Sequence, residues 1–174
     1  SFDVTPDIIT MAKGITNGVM PLGAVASREL IYDTLIDASP TGAIEFFHGY
    51  TYSAIPPCIA AGLAMQEIIK KENLFERSKN MSPYFLDGLF SLKDIDIITD
   101  IRGYGMLGGI DINFDERLGK AGYSCFKKLF EVGLSLKATG DCLIVAPPFI
   151  CEEHHIDEII EKLRAGITNY MKSV

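Results

Sequence analysis

Apolar and polar positions alternate with a helical period in two long stretches of the chain. Between residues 57 and 74, and again between residues 152 and 171, apolar side chains recur about every 3.6 positions, which predicts two amphipathic helices. Prolines stand at the start of the first stretch, where their missing N–H costs nothing. Shorter helices are expected over residues 28–36, 83–92 and 120–131.

Strand patterns lie between these helices. A turn-rich segment over residues 4–20 precedes the first strand pattern, and a glycine-rich turn joins the second strand pattern to the third. Strands are expected over residues 22–27, 95–102, 109–114, 134–137 and 143–146. The mixture of helices and strands predicts an α/β fold class.

The chain changes character between residues 75 and 93, which indicates a domain boundary. We predict that residues 1–75 form the end of a larger α/β domain with its linking helix. Residues 76–174 are then expected to form a small α+β domain. The chain opens on Ser1 rather than Met, directly in a dense motif, so it is expected to be a piece of a longer protein.

Composition excludes several classes of partner. Of the 174 residues, 48% are hydrophobic and 22% are charged, with a net charge of −7, which is typical of a folded globular domain. No basic cluster is present to neutralise phosphates, so no nucleic-acid partner is expected. The longest apolar stretch, residues 54–69, is short and interrupted by prolines and polar side chains, so no membrane partner is expected.

The four cysteines lack the spacing of a zinc site or a disulfide framework. They are expected to be buried free thiols in a reducing cytoplasm, and no metal site is predicted. Glu152 and Glu153 beside His154 and His155 form a possible metal cluster, but acidic residues at the start of a helix more often favour the helix dipole.

Lys13 lies in the glycine-rich run Met11-Ala-Lys-Gly-Ile-Thr-Asn-Gly18. An ammonium ion avoids burial unless it is neutralised, and the neutral amine of a buried lysine is a nucleophile toward an aldehyde. Gly14 and Gly18 would let the backbone pass close to a flat ring. Taken alone, however, a Lys-Gly pair is more often a solvated turn.

The run His48-Gly-Tyr-Thr-Tyr-Ser53 precedes the first long helix. Free N–H groups at a helix start, together with hydroxyl groups, suit the binding of a phosphate. The same run also fits an aromatic loop that packs on the core and caps the helix.

Taken in order, four segments resemble the motifs of class III aminotransferases. They are residues 2–25 around the lysine, residues 48–53, the run Arg102-Gly-Tyr-Gly-Met-Leu-Gly-Gly109, and Gly140-Asp141 with Ala146-Pro-Pro-Phe-Ile150. The resemblance implies a fold-type I transferase dependent on pyridoxal 5′-phosphate, of which this chain is the C-terminal portion. It implies transfer of an amino group from an ω-amino acid or amine, such as β-alanine, to pyruvate.

The resemblance also implies roles for individual residues. Lys13 would form the Schiff base with the cofactor and then move a proton between the substrate carbon and C4′ of the cofactor. Thr51, with the backbone at Tyr50, would bind the cofactor phosphate. In this family that loop serves the neighbouring subunit's site, so a homodimer is expected, with an amino donor and a keto acid as substrates.

The segment around Lys137 resembles one in ω-amino acid:pyruvate transaminases. At the position of Lys137 those enzymes have an arginine that binds the substrate carboxylate. Lysine offers a point charge rather than a planar fork, so carboxylate recognition would be looser or would lie elsewhere. An ordinary surface lysine at the end of a strand fits this position equally well.

Several alternatives stay open at this stage. The same scaffold serves glutamate-1-semialdehyde aminomutase, amino-acid racemases, and transaminases for ornithine, acetylornithine or 4-aminobutyrate, while a non-catalytic C-terminal fragment is a further possibility. The nucleotide motif G-x-G-x-x-G is formally present over residues 103–108, but a strand rather than a helix is expected after it, which favours a β-hairpin. Family elements that bind the ring precede the lysine, so the chain alone is predicted to be inactive.

Overall fold

The computed structural model describes residues 3–41, 48–113 and 118–173. Residues 42–47, 114–117 and both chain ends lie outside the described residues, and the last residue of the strand predicted over 109–114 is among them. The chain divides into two compact units, Ser1–Glu72 and Asn73–Val174. The predicted domain boundary at residue 75 lies close to this division, while the assignment of the first unit to a larger domain stays a prediction.

The first unit combines a small hairpin with two helices. Strand β1, Ile8–Ala12, pairs antiparallel with β2, Gly23–Ser27, so that Ala12 lies opposite Gly23. A short 3-10 turn over Lys13–Ile15 follows β1 directly. Helices α1, Glu29–Asp37, and α2, Pro56–Lys71, complete the unit.

Two predictions for this unit need correction. Strand β1 lies inside the segment predicted to be only turns. The β-prone run Ile8-Ile-Thr-Met-Ala12 was hidden there, because Pro6 precedes it and Gly14 and Asn17 follow it. Helix α2 ends at Lys71 rather than at residue 74. It stops there because Asn73 takes a left-handed backbone conformation, with φ of 50°, from which the next helix begins.

The second unit is an antiparallel sheet with a helical layer. Its strands are β3, Ile98–Tyr104; β4, Leu107–Ile112; β5, Lys137–Thr139; and β6, Cys142–Val145, in the spatial order β3-β4-β6-β5. Helices α3, Leu74–Phe90, and α4, Ala121–Glu131, contact the sheet, and α5, Glu153–Ser173, packs on both of them.

Several element boundaries here differ from the prediction. Strand β3 covers Ile98–Tyr104 rather than residues 95–102, and β4 begins at Leu107 rather than at residue 109. Helix α3 begins at Leu74, not near Pro83, and the proline lies inside it. The helix tolerates the proline because Leu74, Phe85 and Leu89 are buried and hold it on both sides. Strand β5 begins at Lys137 rather than at residue 134, because the Leu134 N–H donates to the Leu129 carbonyl (2.9 Å) and so closes the end of α4.

The core of the second unit lies between the sheet and the helices. Its fully buried side chains include Phe85 and Leu89 of α3, Leu129 of α4, and Leu163 and Ile167 of α5. Strands β4 and β6 alternate buried and more exposed residues, and Ile101 is the buried residue of β3. One face of the sheet therefore carries the core, and the other carries Asp100, Arg102, Asp111 and Ile144.

Polar contacts join α5 to α3 and to the 3-10 turn Ser91–Asp94 that follows it. The Tyr84 hydroxyl donates to Asp157 (2.7 Å), which raises the pKa of Tyr84. Arg164 donates to both carboxylate oxygens of Asp94 (2.9 and 2.8 Å) and holds the pKa of Asp94 below its usual range. These bonds set the orientation of the long C-terminal helix on the unit that carries Lys137.

Candidate active site

Lys13 stands where strand β1 ends and the 3-10 turn begins. Its backbone lies in the left-handed region, with φ of 56°, which is uncommon for a residue other than glycine. A strained conformation at a residue of this kind is typical of a functional position. The sequence alone contains no signal for it, because lysine has no preference for this region.

The surroundings of Lys13 differ from the buried, apolar turn expected from the sequence. The side chain is exposed rather than buried, and its amine has no hydrogen-bond or ion-pair partner among the described residues. A Cβ built on Gly14 meets nothing within 4 Å, so this side of the turn is open. Gly18 has φ of 76°, so a glycine is needed there for the backbone of the turn. An unpaired amine beside open space suits a lysine that holds a planar aldehyde cofactor.

Tyr50 and Thr51 form a tight turn before helix α2. The Tyr50 N–H donates to the Ser53 hydroxyl, and the Ser53 N–H donates to the Tyr50 carbonyl, both at 2.9 Å. Tyr50 itself is 79% exposed. Within the described part of the chain, neither the Thr51 hydroxyl nor its N–H has a hydrogen-bond partner. Both donors are therefore available to an anion.

The start of α2 corrects the sequence argument about this loop. The helix begins with Pro56 and Pro57, which have no N–H, and the next two N–H groups, of Cys58 and Ile59, both donate to the Ile55 carbonyl. The helix start therefore presents few free donors. A phosphate in this region would depend on the turn at Thr51 rather than on the helix end.

Helix α2 connects the turn at Thr51 with the lysine turn inside the first unit. A Cβ on Gly62 would lie 3.1 Å from Leu22 Cδ2 and 3.8 Å from the Ile15 carbonyl, so the segment around Lys13 packs closely at this glycine. Cys58, one helical turn earlier on the same face, is also buried. One helix thus supports both candidate cofactor-binding segments.

Lys137 lies in the second unit, as the first residue of the edge strand β5. It is exposed, and among the described residues its amine has no ion-pair or hydrogen-bond partner. It pairs in register with Ile144, which pairs with Gly109, which pairs with Arg102. The four residues form one row across the open face of the sheet.

Arg102, at the far end of this row, is occupied. Its guanidinium donates to Asp100 (2.6 Å) and to both oxygens of Asp111 (2.6 and 3.1 Å), which lowers the pKa of Asp111. Burial is the main reason that the pKa of the neighbouring Cys142 thiol is raised. In the described sheet, Lys137 is thus the cation left free to meet a carboxylate.

Asp141 has a role that the sequence argument missed. One of its carboxylate oxygens accepts from the Gly119 N–H (2.7 Å) and the other from the Ala121 N–H (3.0 Å), so Asp141 caps helix α4 from the turn between β5 and β6. Gly122 contacts the Gly140 carbonyl so closely that a side chain there would clash. The only sequence signal was the pair Gly140-Asp141 within a family motif.

Two other motifs have structural explanations. The segment with the G-x-G-x-x-G pattern forms the turn between β3 and β4, with Gly105 at φ of 59°, which confirms the predicted hairpin. The ligand atoms of Glu152, His154 and His155 lie within 4.8 Å of one another at the start of α5. The Glu152 N–H donates to His155 Nδ1 (3.1 Å), so this ring already caps the helix. Among the described residues, no helix is long and apolar enough to span a membrane.

Comparison with known proteins identifies the family. The sequence model of the class III aminotransferase family matches residues 1–167. An ω-aminotransferase of Caulobacter vibrioides is 42% identical over 166 residues, which cover 94% of this chain and 37% of the relative. A β-alanine–pyruvate aminotransferase of Pseudomonas aeruginosa is 39% identical over 164 residues, which cover 92% of this chain and 36% of the relative.

A solved structure gives the same result. A thermostable (S)-enantioselective ω-transaminase from Thermomicrobium roseum matches with a TM-score of 0.87 and 30% identity, over 97% of this chain and 38% of that one. The chain thus spans little more than a third of the relatives it matches, and the expected fold, a portion of an α/β fold-type I transferase, is confirmed. The chain belongs to the class III aminotransferases, a family whose members depend on pyridoxal phosphate.

Proposed function

We propose that the chain supplies the cofactor lysine of a transaminase that moves an amino group from an ω-amino acid or amine to pyruvate. The observation that carries the proposal is Lys13, an unpaired and exposed lysine in a left-handed backbone at the end of a strand. The names of the relatives from Caulobacter vibrioides and Pseudomonas aeruginosa support the ω-amino donor, and the latter name supports pyruvate.

Lys13 has two tasks in this proposal. Its amine would hold the cofactor. Once released by the incoming substrate amine, it would accept a proton from the substrate carbon that bears the amino group and deliver that proton to C4′, the aldehyde carbon of the cofactor. Pyridoxal phosphate, when bound, supplies a ring that stabilises negative charge at that carbon. The fixed backbone at residue 13 limits the directions in which the lysine side chain can leave the turn.

Thr51 is proposed to bind the cofactor phosphate with its hydroxyl and its N–H, with help from the backbone at Tyr50. Support comes from the two donors that have no partner among the described residues. Hydrogen bonds from such groups to an anion are stronger than those between neutral groups. We further propose that this loop serves the neighbouring site of a homodimer.

Lys137 is proposed to bind the carboxylate of the keto acid. Arg102, the other cation of the described sheet, is engaged by Asp100 and Asp111, whereas Lys137 is not engaged. A lysine forms a single point contact, so we expect weaker selection for carboxylates than a bidentate arginine would give. Lys137→Met should raise the KM for pyruvate and leave the KM for an apolar amine unchanged.

We propose that the enzyme acts in the cytoplasm. The four cysteines are free thiols, three of them buried, as is usual in a reducing compartment.

An absorbance titration of the complete enzyme tests the chemistry. With pyridoxal phosphate, the wild type should show a visible band that β-alanine bleaches, and Lys13→Ala should lack this band. Formation of alanine from pyruvate then separates a transaminase from an aminomutase or racemase, which need no keto acid. A wild-type enzyme without the band would contradict the proposal.

Mixed dimers test the role of the Thr51 loop. A subunit with Lys13→Ala and a subunit with Thr51→Ala should each form inactive or weakly active homodimers. If Thr51 serves the partner's site, their hybrid has one site with both Lys13 and Thr51 intact, and activity returns. If Thr51 serves its own subunit, no hybrid site is intact, and mixing restores nothing.

A further inference from the structure

Thr16 is the deeply buried polar residue of the described chain. Only 3% of its surface is exposed, although it lies in the first unit, where most large apolar side chains remain exposed. A buried hydroxyl needs a hydrogen-bond partner. The Thr16 Oγ1 donates to the Met20 carbonyl at 2.6 Å.

Thr16 connects both ends of the turn that follows Lys13. Its N–H donates to the Lys13 carbonyl (3.3 Å), its own carbonyl accepts from the Val19 N–H (3.2 Å), and its side chain reaches Met20. The Asn17 N–H adds one further bond, to the Gly14 carbonyl (3.3 Å). Three of these four hydrogen bonds involve Thr16.

The conformation of Lys13 needs such support. A left-handed backbone is disfavoured for any residue with a Cβ, and it persists only where the surrounding structure determines it. The Lys13 amine makes no contact among the described residues that would hold it. The support therefore comes from the turn, whose buried anchor is Thr16.

We infer that Thr16 is the positioning residue of Lys13. Its hydroxyl bond to Met20 closes the turn and so keeps the residue 13 backbone in the conformation that presents the amine to the cofactor. This inference rests on the proposed function of Lys13. It assigns Thr16 no contact with cofactor or substrate.

Two substitutions separate the hydroxyl bond from packing. Thr16→Val keeps the shape of the side chain but leaves the Met20 carbonyl without its donor, whereas Thr16→Ser keeps the donor and loses a methyl group. Cys58→Ala is the matched control, because Cys58 is also buried in this unit (5% exposed) but belongs to helix α2.

The experiment follows covalent labelling of Lys13 in the complete apoenzyme. Pyridoxal phosphate is added, borohydride traps the lysine-bound cofactor at set times, and peptide mass spectrometry measures the label on Lys13 at equal folded fraction. We expect Thr16→Val to label about ten-fold more slowly, the effect of one lost buried hydrogen bond. Thr16→Ser should restore most of the rate, and Cys58→Ala should lower the thermal midpoint without slowing the labelling.

The outcomes distinguish the role of Thr16 from the proposed function of Lys13. If the wild type labels at Lys13 and Thr16→Val labels equally fast, or no more slowly than Cys58→Ala, the role of Thr16 is overturned and the proposed function stands. If the wild type never labels at Lys13, the proposed function fails and the role of Thr16 fails with it.

Discussion

The two units of the chain differ in how much they bury. The second unit encloses a core in which side chains such as Phe85, Leu163 and Ile167 are wholly inaccessible. Among the described residues of the first unit, only Thr16, Cys58 and Gly62 are buried. The first unit nevertheless carries the cofactor lysine that we propose, while the second carries the buried core.

The exposed apolar residues of the first unit explain this contrast. Val19, Val25, Leu30 and Leu63 each expose more than 60% of their surface. A contiguous apolar patch of this kind normally marks an interface, and we expect these side chains to contribute to one. We expect the remaining length of the complete enzyme, which the relatives have and this chain does not span, to cover them. The chemistry would then lie where two parts of the enzyme meet.

Truncation of leucines in the two units should show the contrast most strongly. Leu163→Ala removes a fully buried side chain and should destabilise the second unit by about 2–5 kcal/mol, since it leaves a cavity. Leu63→Ala, at a residue that is 63% exposed, should cost the 174-residue chain about 0.5 kcal/mol or less. Urea unfolding monitored by hydrogen exchange of peptides from each unit measures both. If Leu63→Ala destabilises the complete enzyme more than the 174-residue chain, another part of the enzyme packs on Leu63. An equal loss of stability in both would show that nothing packs on it.

Two glycines extend the comparison to close contacts. Gly122→Ala places a Cβ against the Gly140 carbonyl, a backbone atom that cannot move aside cheaply, and should cost about 1–3 kcal/mol. Gly14→Ala meets no atom in this chain and should change stability by about 0.5 kcal/mol at most. Thermal unfolding tests both variants. In the complete enzyme, Gly14→Ala should instead weaken binding of pyridoxal phosphate, and unchanged binding would argue against our placing of the ring beside Gly14.

The cap on α4 should have a smaller effect. Asp141→Ala leaves the N–H groups of Gly119 and Ala121 without their acceptor and should destabilise the second unit by about 1 kcal/mol. Asp141→Asn keeps one acceptor oxygen and should cost less. If both variants unfold at the wild-type urea midpoint, the two hydrogen bonds contribute nothing to stability.

The smallest effect concerns acid stability. Because Arg102 lowers the pKa of Asp111 in the folded protein, the unfolded chain binds a proton to this carboxyl at higher pH than the folded chain does. The resulting stabilisation is present above the ordinary carboxyl range and is lost as the pH falls through the lowered pKa. Arg102→Gln should therefore flatten the acid limb of the stability profile, measured by urea titrations at several pH values. High salt should reduce the difference, and an unchanged limb at low salt would show that the contact is not stabilising.

The sequence predicted those parts of the fold in which local pattern and packing agree. The hairpin over Ile98–Ile112 and helix α5 have a clear period, and each buries the face that the period selects. Strand β1 was missed because the neighbouring proline and glycines indicated turns, although its pairing with β2 decides the outcome. The start of α3 was missed because Pro83 indicated a helix start, although the burial of Leu74 extends the helix back to that residue.

The site was only partly predictable for a related reason. Lys13, Thr51 and Lys137 stand in segments whose order resembles the family, so they could be named from the sequence, and their roles stay predictions. Asp141 acts on an N–H group 20 residues away, and no local pattern announces such a contact. Thr16 is one hydroxyl among several in a polar turn, and only its burial distinguishes it.

The central claim is that Lys13 is the lysine that holds the cofactor, and borohydride reduction at equilibrium tests it most directly. The complete enzyme is incubated with pyridoxal phosphate, reduced and digested, and the modified peptide is sequenced by mass spectrometry. Our account predicts one dominant modification, on Lys13, that disappears when β-alanine is added before reduction. A dominant modification on another lysine, or an equal spread over exposed lysines such as Lys137, would contradict it.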